Sequence, residues 1–262
     1  MFRIFIKPLL FAFSPETAHN IVARLLLLLS YIPFSRHIIR LFYRYSSPSL
    51  EREVIGIKFP NPVGMAAGFD KNGELYNQLS DFGFGFIEIG SVTPVEQPGN
   101  SKPRVFRIPQ DNALINRMGI NNKGVKSVVS KLKQNKPRVI IGGNISKSTA
   151  SRNEQAPLDY EKSFAQLYDF VDYFVVNVSC PNVKGLTKLQ DITSLSEIID
   201  KLTQLRKYFD DYRPILLKVS PDLTDEQLDE IIELILVSGL DGIVATNTTT
   251  SRNNLTIEPQ QI

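Results

Sequence analysis

Residues 173–182 read Tyr-Phe-Val-Val-Asn-Val-Ser-Cys-Pro-Asn. The run opens with aromatic and β-branched residues on both alternating faces, as a strand buried on both sides requires. Its far end turns polar. Asn177, Ser179, Cys180 and Asn182 gather there, and Pro181 stops the strand. A strand of this kind delivers side chains to a site at one end of a sheet.

The pattern repeats outward in both directions. Further β-rich runs lie at 63–67, 85–89, 139–145, 215–220 and 242–247, after a small hairpin strand at 54–59. Helical periodicity fills the gaps at 74–79, 123–132, 158–170, 194–209 and 225–237. Thr224 with Gln227 marks a helix start, and Gly239 its end. Strands that alternate with helices imply a parallel sheet with helical crossovers. A doubly wound sheet and a (β/α)8 barrel both satisfy that order. Polar or glycine residues stand where each strand ends: Gly68 and Lys71, Gly90 and Ser91, Asn144, Asn177, Lys218, Asn247. Their convergence on one face favours the barrel. Gly83-Phe-Gly85-Phe-Ile-Glu lacks the third glycine of a dinucleotide fingerprint and reads as part of a strand. Six strand–helix units are present where a closed barrel needs eight, so the expectation is an incomplete α/β barrel of the TIM type in a truncated chain.

The composition narrows the chemistry. The 262 residues carry a net charge of +3, one cysteine and two histidines, His19 and His37. A single cysteine excludes an internal disulfide. Both histidines fall in the first forty residues, so a Ser-His-Asp triad or a His-rich metal site elsewhere is excluded, and no metal is expected. Residues 1–45 hold six basic side chains and one acid, whereas the remainder is slightly acidic, which argues against a nucleic-acid-binding body. That first segment is also rich in Phe, Leu and Ile. Its longest clean apolar run, 25–32, falls far short of the ~20 residues that span a bilayer. It reads as two helices, about 14–30 and 34–44, with Ser14 and Pro15 opening the first. Basic and apolar together fit either helices lying in a membrane interface or a pair packed on the body, and the sequence leaves both open.

Candidate chemical groups cluster at the strand ends. Cys180 is the only thiol. Lys218 stands in an apolar strand, where an ammonium is costly unless it is paired. Lys71 lies in the tight loop Gly68-Phe-Asp-Lys-Asn-Gly. Asn116, Asn121, Asn122, Asn144, Asn177, Asn182 and Asn247 offer both donors and acceptors without charge. Each has a plainer reading, as a buried thiol, a loop lysine or a turn amide. Together they suit a planar, anionic ring that bears amide groups.

Several longer motifs, in order, carry a resemblance. Asn61-Pro-Val-Gly-Met-Ala-Ala-Gly-Phe-Asp-Lys-Asn-Gly, Gly90-Ser-Val-Thr-Pro, Lys102-Pro-Arg-Val-Phe-Arg, Leu114-Ile-Asn-Arg-Met-Gly-Ile-Asn-Asn, Asn177-Val-Ser-Cys-Pro-Asn and Ala245-Thr-Asn-Thr-Thr all resemble the dihydroorotate dehydrogenases. Pro15-Glu-Thr-Ala-His19 resembles the membrane-associated extension of class 2, the quinone-linked form. The resemblance implies oxidation of dihydroorotate to orotate on FMN, with a membrane quinone as final acceptor, in pyrimidine synthesis. It implies a membrane-associating segment over 1–45 and an FMN-binding barrel over 46–262, peripheral on the cytoplasmic face of a cell membrane, or on the inner mitochondrial membrane in a eukaryote. Carried over by motif, Ala67, Gly68, Phe69, Asp70, Lys71, Ser91, Asn144, Asn177, Lys218 and Thr246 would contact FMN. Lys71, Asn116, Arg117, Met118, Gly119, Ile120, Asn177, Asn182, Asn247 and Thr248 would hold the substrate, and Cys180 would be the catalytic base. Class 2 members usually have serine as the base and class 1 members cysteine, so a cytosolic enzyme using fumarate or NAD is the alternative. An inactive barrel that does not retain FMN is a third reading.

Overall fold

The computed structural model describes residues 2–180, 192–253 and 255–256. Six parallel strands form the central sheet: β3 (Gly64–Met65), β4 (Phe86–Val92), β7 (Ile140–Ile145), β8 (Tyr173–Asn177), β9 (Ile215–Val219) and β10 (Gly242–Ala245). Their order is β10-β9-β8-β7-β4-β3, and the sheet curls into a part-barrel with β3 and β10 at its edges. Helices α4 (Tyr76–Ser80), α5 (Gly124–Gln134), α6 (Ala156–Leu167), α7 (Ile192–Arg206) and α8 (Asp225–Ser238) make the crossovers. The expected strand–helix alternation is thus present. Thr224 caps α8 in a reciprocal box with Gln227, and Gly239 closes that helix at φ +77°.

Packing follows from the strand pattern. β8 is buried along its whole length, and its Phe174 packs against Phe164 of α6 with ring centroids 4.2 Å apart. Tyr168 stacks on Phe209 at 3.7 Å, sealing the helical layer. Inside the curl, Gly142 pairs with Tyr173, and a Cβ on Gly142 would meet that tyrosine ring at 2.3 Å. The missing side chain is what lets the ring fill the interior.

Two departures from the sequence reading have local causes. Gly83 is not in a strand. It turns at φ +94°, and β4 starts three residues later. A hairpin was not anticipated at all: β5 (Val105–Ile108) pairs antiparallel with β6 (Ala113–Asn116) through a turn closed by Asn112 at φ +49°. The small hairpin strand expected at 54–59 is present, as β2 (Ile57–Phe59) paired antiparallel with β1 (Arg52–Val54).

Before the sheet come α1 (Lys7–Phe11), α2 (Pro15–Ser30) and α3 (Ser35–Tyr43). Ser14 caps α2 by accepting from the Thr17 amide at 3.2 Å. The amphipathicity of α3 is inverted. Arg36 and Arg40 turn inward to share the buried carboxylate of Asp81, at 2.8 and 2.7 Å. Ile38, Leu41 and Phe42 face solvent, the last two at 80 and 77% exposure. At the other end of the pair, Glu16 of α2 meets Arg104, just before β5, at 2.9 Å. Burial alone would raise the Asp81 carboxyl, but hydrogen bonds and charge from the two arginines outweigh it and hold the pKa below its ordinary 3.8.

A depressed carboxyl pKa means a contact complete above the ordinary carboxylate range and lost as pH falls through the lowered value. Docking of α3 should therefore hold from pH 8 down to about 4 and loosen only beneath that. Asp81→Asn should free the helix at neutral pH and raise tryptic cleavage at Arg36 and Arg40 by about tenfold. Equal cleavage rates in both proteins would show that the pair does not hold α3.

Candidate functional site

The sheet brings one chain of hydrogen bonds across four strands at their C-terminal ends. Glu88 of β4 lies near one end of it, 5% exposed. Asn144 of β7 donates to the Glu88 carboxylate at 2.7 Å, and the Lys218 ammonium of β9 stands 3.7 Å from the same oxygen. Ser91 donates to the Asn144 side-chain oxygen, and Asn177 of β8 donates to Ser91 at 2.8 Å. Asn247, beyond β10, donates to Asn177 at 3.3 Å and to Ser179 at 3.1 Å. Strand register makes this possible. Asn177 lies directly beside Lys218, and the Asn247 amide continues the ladder onto Val219 at 2.9 Å. Tyr160 and Ser146 both donate to the backbone carbonyl of Asn177, at 2.8 and 3.1 Å, which fixes that residue from behind.

The chain is not saturated. Lys218 is 7% exposed and carries three donors, yet among the described residues only Glu88 faces it. A buried ammonium with spare donors asks for an electron-rich partner in the space before it. Nearby, Gly68 turns at φ +108°, with nothing within 4 Å of where a Cβ would lie. The Gly68 amide bonds to the Gly90 carbonyl at 2.9 Å, so the 67–71 loop abuts the end of β4 beside Ser91. Open space beside a backbone loop, a short-partnered lysine and a row of amides fit a flat heterocycle with alternating donors and acceptors.

A pocket of about 590 Å³ adjoins this region. Its floor holds Gly68, Phe69, Lys71, Asn116 and Met118, and its walls come from α1, α2 and the β5–β6 hairpin. His19 of α2 packs edge-on against Phe69 with ring centroids 4.8 Å apart. Lys71 donates to the Gly68 carbonyl at 2.5 Å. Burial lowers the Lys71 pKa and Arg104 lowers it further, against the opposing pull of Glu16 and Asp70. Burial also lowers that of His19, with Lys71 adding to the effect and Glu16 opposing it.

The expected site residues therefore fall into two adjoining groups. Ser91, Asn144, Asn177, Lys218 and Asn247 form the strand-end chain, while Gly68, Phe69, Lys71, Asn116 and Met118 line the pocket. Ala67 is half-buried at the loop's start, and Gly119 and Ile120 are buried beyond Met118. Asp70 spends its carboxylate on the Glu74 and Leu75 amides, both at 2.7 Å. Arg117 points outward and binds the Pro103 carbonyl at 2.9 Å. Thr246 and Thr248 are exposed after β10. Cys180 is half-buried against the core just past β8, and Asn182 lies outside the described residues. Sequence reasoning missed Glu88, although a lone acid between Ile87 and Ile89 carries the same signal as Lys218. It also missed Glu16 and His19 as a stripe, three residues apart, on the inner face of α2.

A family model described as dihydroorotate dehydrogenase matches residues 49–262. The chain is 50% identical to a dihydroorotate dehydrogenase (quinone) from Christiangramia forsetii, over 98% of this chain and 76% of that protein. It is 46% identical to one from Coxiella burnetii, over 95% of this chain and 71% of that one. Among solved structures, it is similar to the Eimeria tenella enzyme in complex with ferulenol. That match has a TM-score of 0.81 and 34% identity, and covers 92% of this chain and 68% of that one.

The Glu88–Lys218 pair is open to a double-mutant cycle. Glu88→Gln or Lys218→Met alone leaves one buried charge without its partner and should cost about 3 kcal/mol in urea unfolding. The double variant should return to within about 1 kcal/mol of the parent, because no lone charge remains. Strictly additive losses would mean the two charges are not coupled.

Proposed function

The chain belongs to the dihydroorotate dehydrogenase family, and on that footing we propose that it oxidises (S)-dihydroorotate to orotate on bound FMN and passes the electrons to a quinone, in the synthesis of pyrimidine nucleotides. The observation that carries the reading is the buried Lys218 with spare donors, set in a row of amides beside the open Gly68 turn. The family implies a flavin cofactor, and FMN is the form proposed here.

FMN, when bound, supplies a hydride acceptor. The remaining work falls to side chains of this chain. Ser91, Asn144, Asn177 and the 67–71 backbone bind and orient the ring, and Lys218 offers positive charge to its electron-rich edge. Lys71 and Asn116, with Asn177 and Asn247, hold the carboxylate and imide groups of the substrate. Cys180 takes the C5 proton at Sγ. A thiol serves as a base only when ionised, so this step runs through the Cys180 thiolate.

Two features support a quinone as acceptor over fumarate or NAD. The 590 Å³ pocket runs from the apolar inner sides of α1 and α2 to Phe69 and Lys71. The outward apolar faces of α2 and α3, with Leu25, Leu28, Leu41 and Phe42 exposed, suit helices lying in a membrane surface. No single described helix is long and apolar enough to cross a membrane, and α2 and α3 are bent by 117°. In this reading residues 1–45 form the membrane-contacting segment and 46–262 the flavin-binding barrel.

Anaerobic spectroscopy of the purified chain tests the reaction. A flavin band should bleach on addition of dihydroorotate and return on addition of a short-chain quinone, with fumarate and NAD ineffective. Flavin that stays oxidised would exclude the oxidation, and recovery by fumarate would favour the class 1 alternative that Cys180 suggests. Cys180→Ala should slow the bleaching by about 100-fold or more while leaving substrate affinity intact.

A further inference from the structure

A second pocket lies at the opposite end of the barrel, where the strands begin. It encloses about 400 Å³ between the end of α3, the β1–β2 hairpin and the starts of β4 and β7. Arg40, Arg44, Lys58 and Arg138 line it, with Asp172 as the sole lining acid. That acid is already engaged, accepting from the Ile141 amide at 2.7 Å. Asp81 is shared between Arg36 and Arg40, and Lys58 meets Glu51 at 3.2 Å only in an exposed pair. Among the described residues Arg44 meets no acid. Arg138 gives its Nε to the Asn77 side chain at 3.3 Å, and burial together with the nearby Arg36 charge lowers its pKa. Four basic side chains and one acid thus line a concave surface, and the catalytic machinery uses none of them.

The position adds a second argument. Arg36, Arg40 and Arg44 recur every four residues and form one stripe of α3 and its C-terminal continuation. The apolar residues Ile38, Leu41 and Phe42 stand outward. A helix lying in a membrane interface buries its apolar face about 5–10 Å into the headgroup–acyl boundary, which leaves its polar flank at the level of the phosphates. The pocket opens at the end of that flank.

We propose that this pocket is a second ligand site that takes a phosphate group, held by Arg44, Lys58 and Arg138. An anionic phospholipid and a soluble phosphate ester present the same chemistry. The lipid source rests on the membrane contact proposed above, whereas the soluble source does not.

The test uses the full chain with its flavin bound, an Arg44→Gln/Lys58→Gln variant, and a Lys126→Gln/Lys162→Gln variant that removes the same charge from exposed positions elsewhere. Each is titrated calorimetrically with glycerol 3-phosphate. Each is also sedimented with vesicles of phosphatidylcholine alone or with one third phosphatidylglycerol. Melting temperature and flavin content serve as folding controls. The parent and the Lys126/Lys162 variant should bind glycerol 3-phosphate alike, and the Arg44/Lys58 variant about tenfold more weakly. If the source is lipid, the preference for phosphatidylglycerol vesicles falls by a similar factor in the Arg44/Lys58 variant alone. If it is a soluble ester, vesicle binding is the same in all three proteins and only the titration separates them. The proposal is overturned if the parent binds glycerol 3-phosphate no better than the Arg44/Lys58 variant, or if the Lys126/Lys162 variant loses as much.

Discussion

A buried carboxylate organises the site. Glu88 sits among apolar strands, where an unpaired charge would cost several kcal/mol, and it is tolerated because Asn144 and Lys218 reach it from β7 and β9. That requirement runs across the sheet. Asn144 also needs Ser91, Ser91 is shared with Asn177, and Asn177 accepts from Asn247. These residues come from β4, β7, β8 and β9 and from just beyond β10, so the polar chain forms only when all the registers are correct. The same interaction that fixes the strand ends relative to one another lines up the groups that would face a ring.

Helix α3 obeys the reverse logic. A helix packed on a soluble body buries its apolar stripe and exposes its charges. In α3 the arginines point inward, toward Asp81, and the large apolar residues point outward. Long-range ion pairs of Arg36 and Arg40 with Asp81 and of Glu16 with Arg104 anchor the helical pair, Leu26 and Leu27 of α2 pack against the core, and Leu25, Leu28, Leu41 and Phe42 stay exposed. The pocket beneath α2 joins apolar residues such as Leu10, Val22 and Phe69 to a polar set that includes Glu16, His19 and Lys71.

Much of this was legible in the sequence, for reasons that are local. Period-two and three-to-four-residue patterning gave the alternation of strands and helices, and the Thr224–Gln227 cap and Gly239 gave the bounds of α8. Lys218, Asn144, Asn177 and Asn247 stood out because polar residues at apolar strand ends are unusual. Of the two expectations left open for α2 and α3, packing on the body is what the structure shows, with Leu25, Leu28, Leu41 and Phe42 left exposed. What was not legible depends on distance along the chain. Asp81 is 45 residues from Arg36, and Glu16 is 88 from Arg104, so nothing in either neighbourhood announces the other. The β5–β6 hairpin escaped because its strands are short and its turn is closed by Asn112 in the left-handed region, without a glycine to mark it. Glu88 escaped because it stands at the end of the Gly83–Glu88 stretch, where the glycines draw the reading before the lone acid does.

The central claim is that the chain of groups from Glu88 to Asn247, with the Gly68 turn, forms a flavin site. Fluorescence titration of FMN into the flavin-stripped full chain tests it most directly. The account predicts saturable quenching at one FMN per chain, with affinity lost when Asn144 is replaced by Leu and folding monitored in parallel. Absence of saturable binding by a folded chain, or equal affinity in the Asn144→Leu variant, would contradict it.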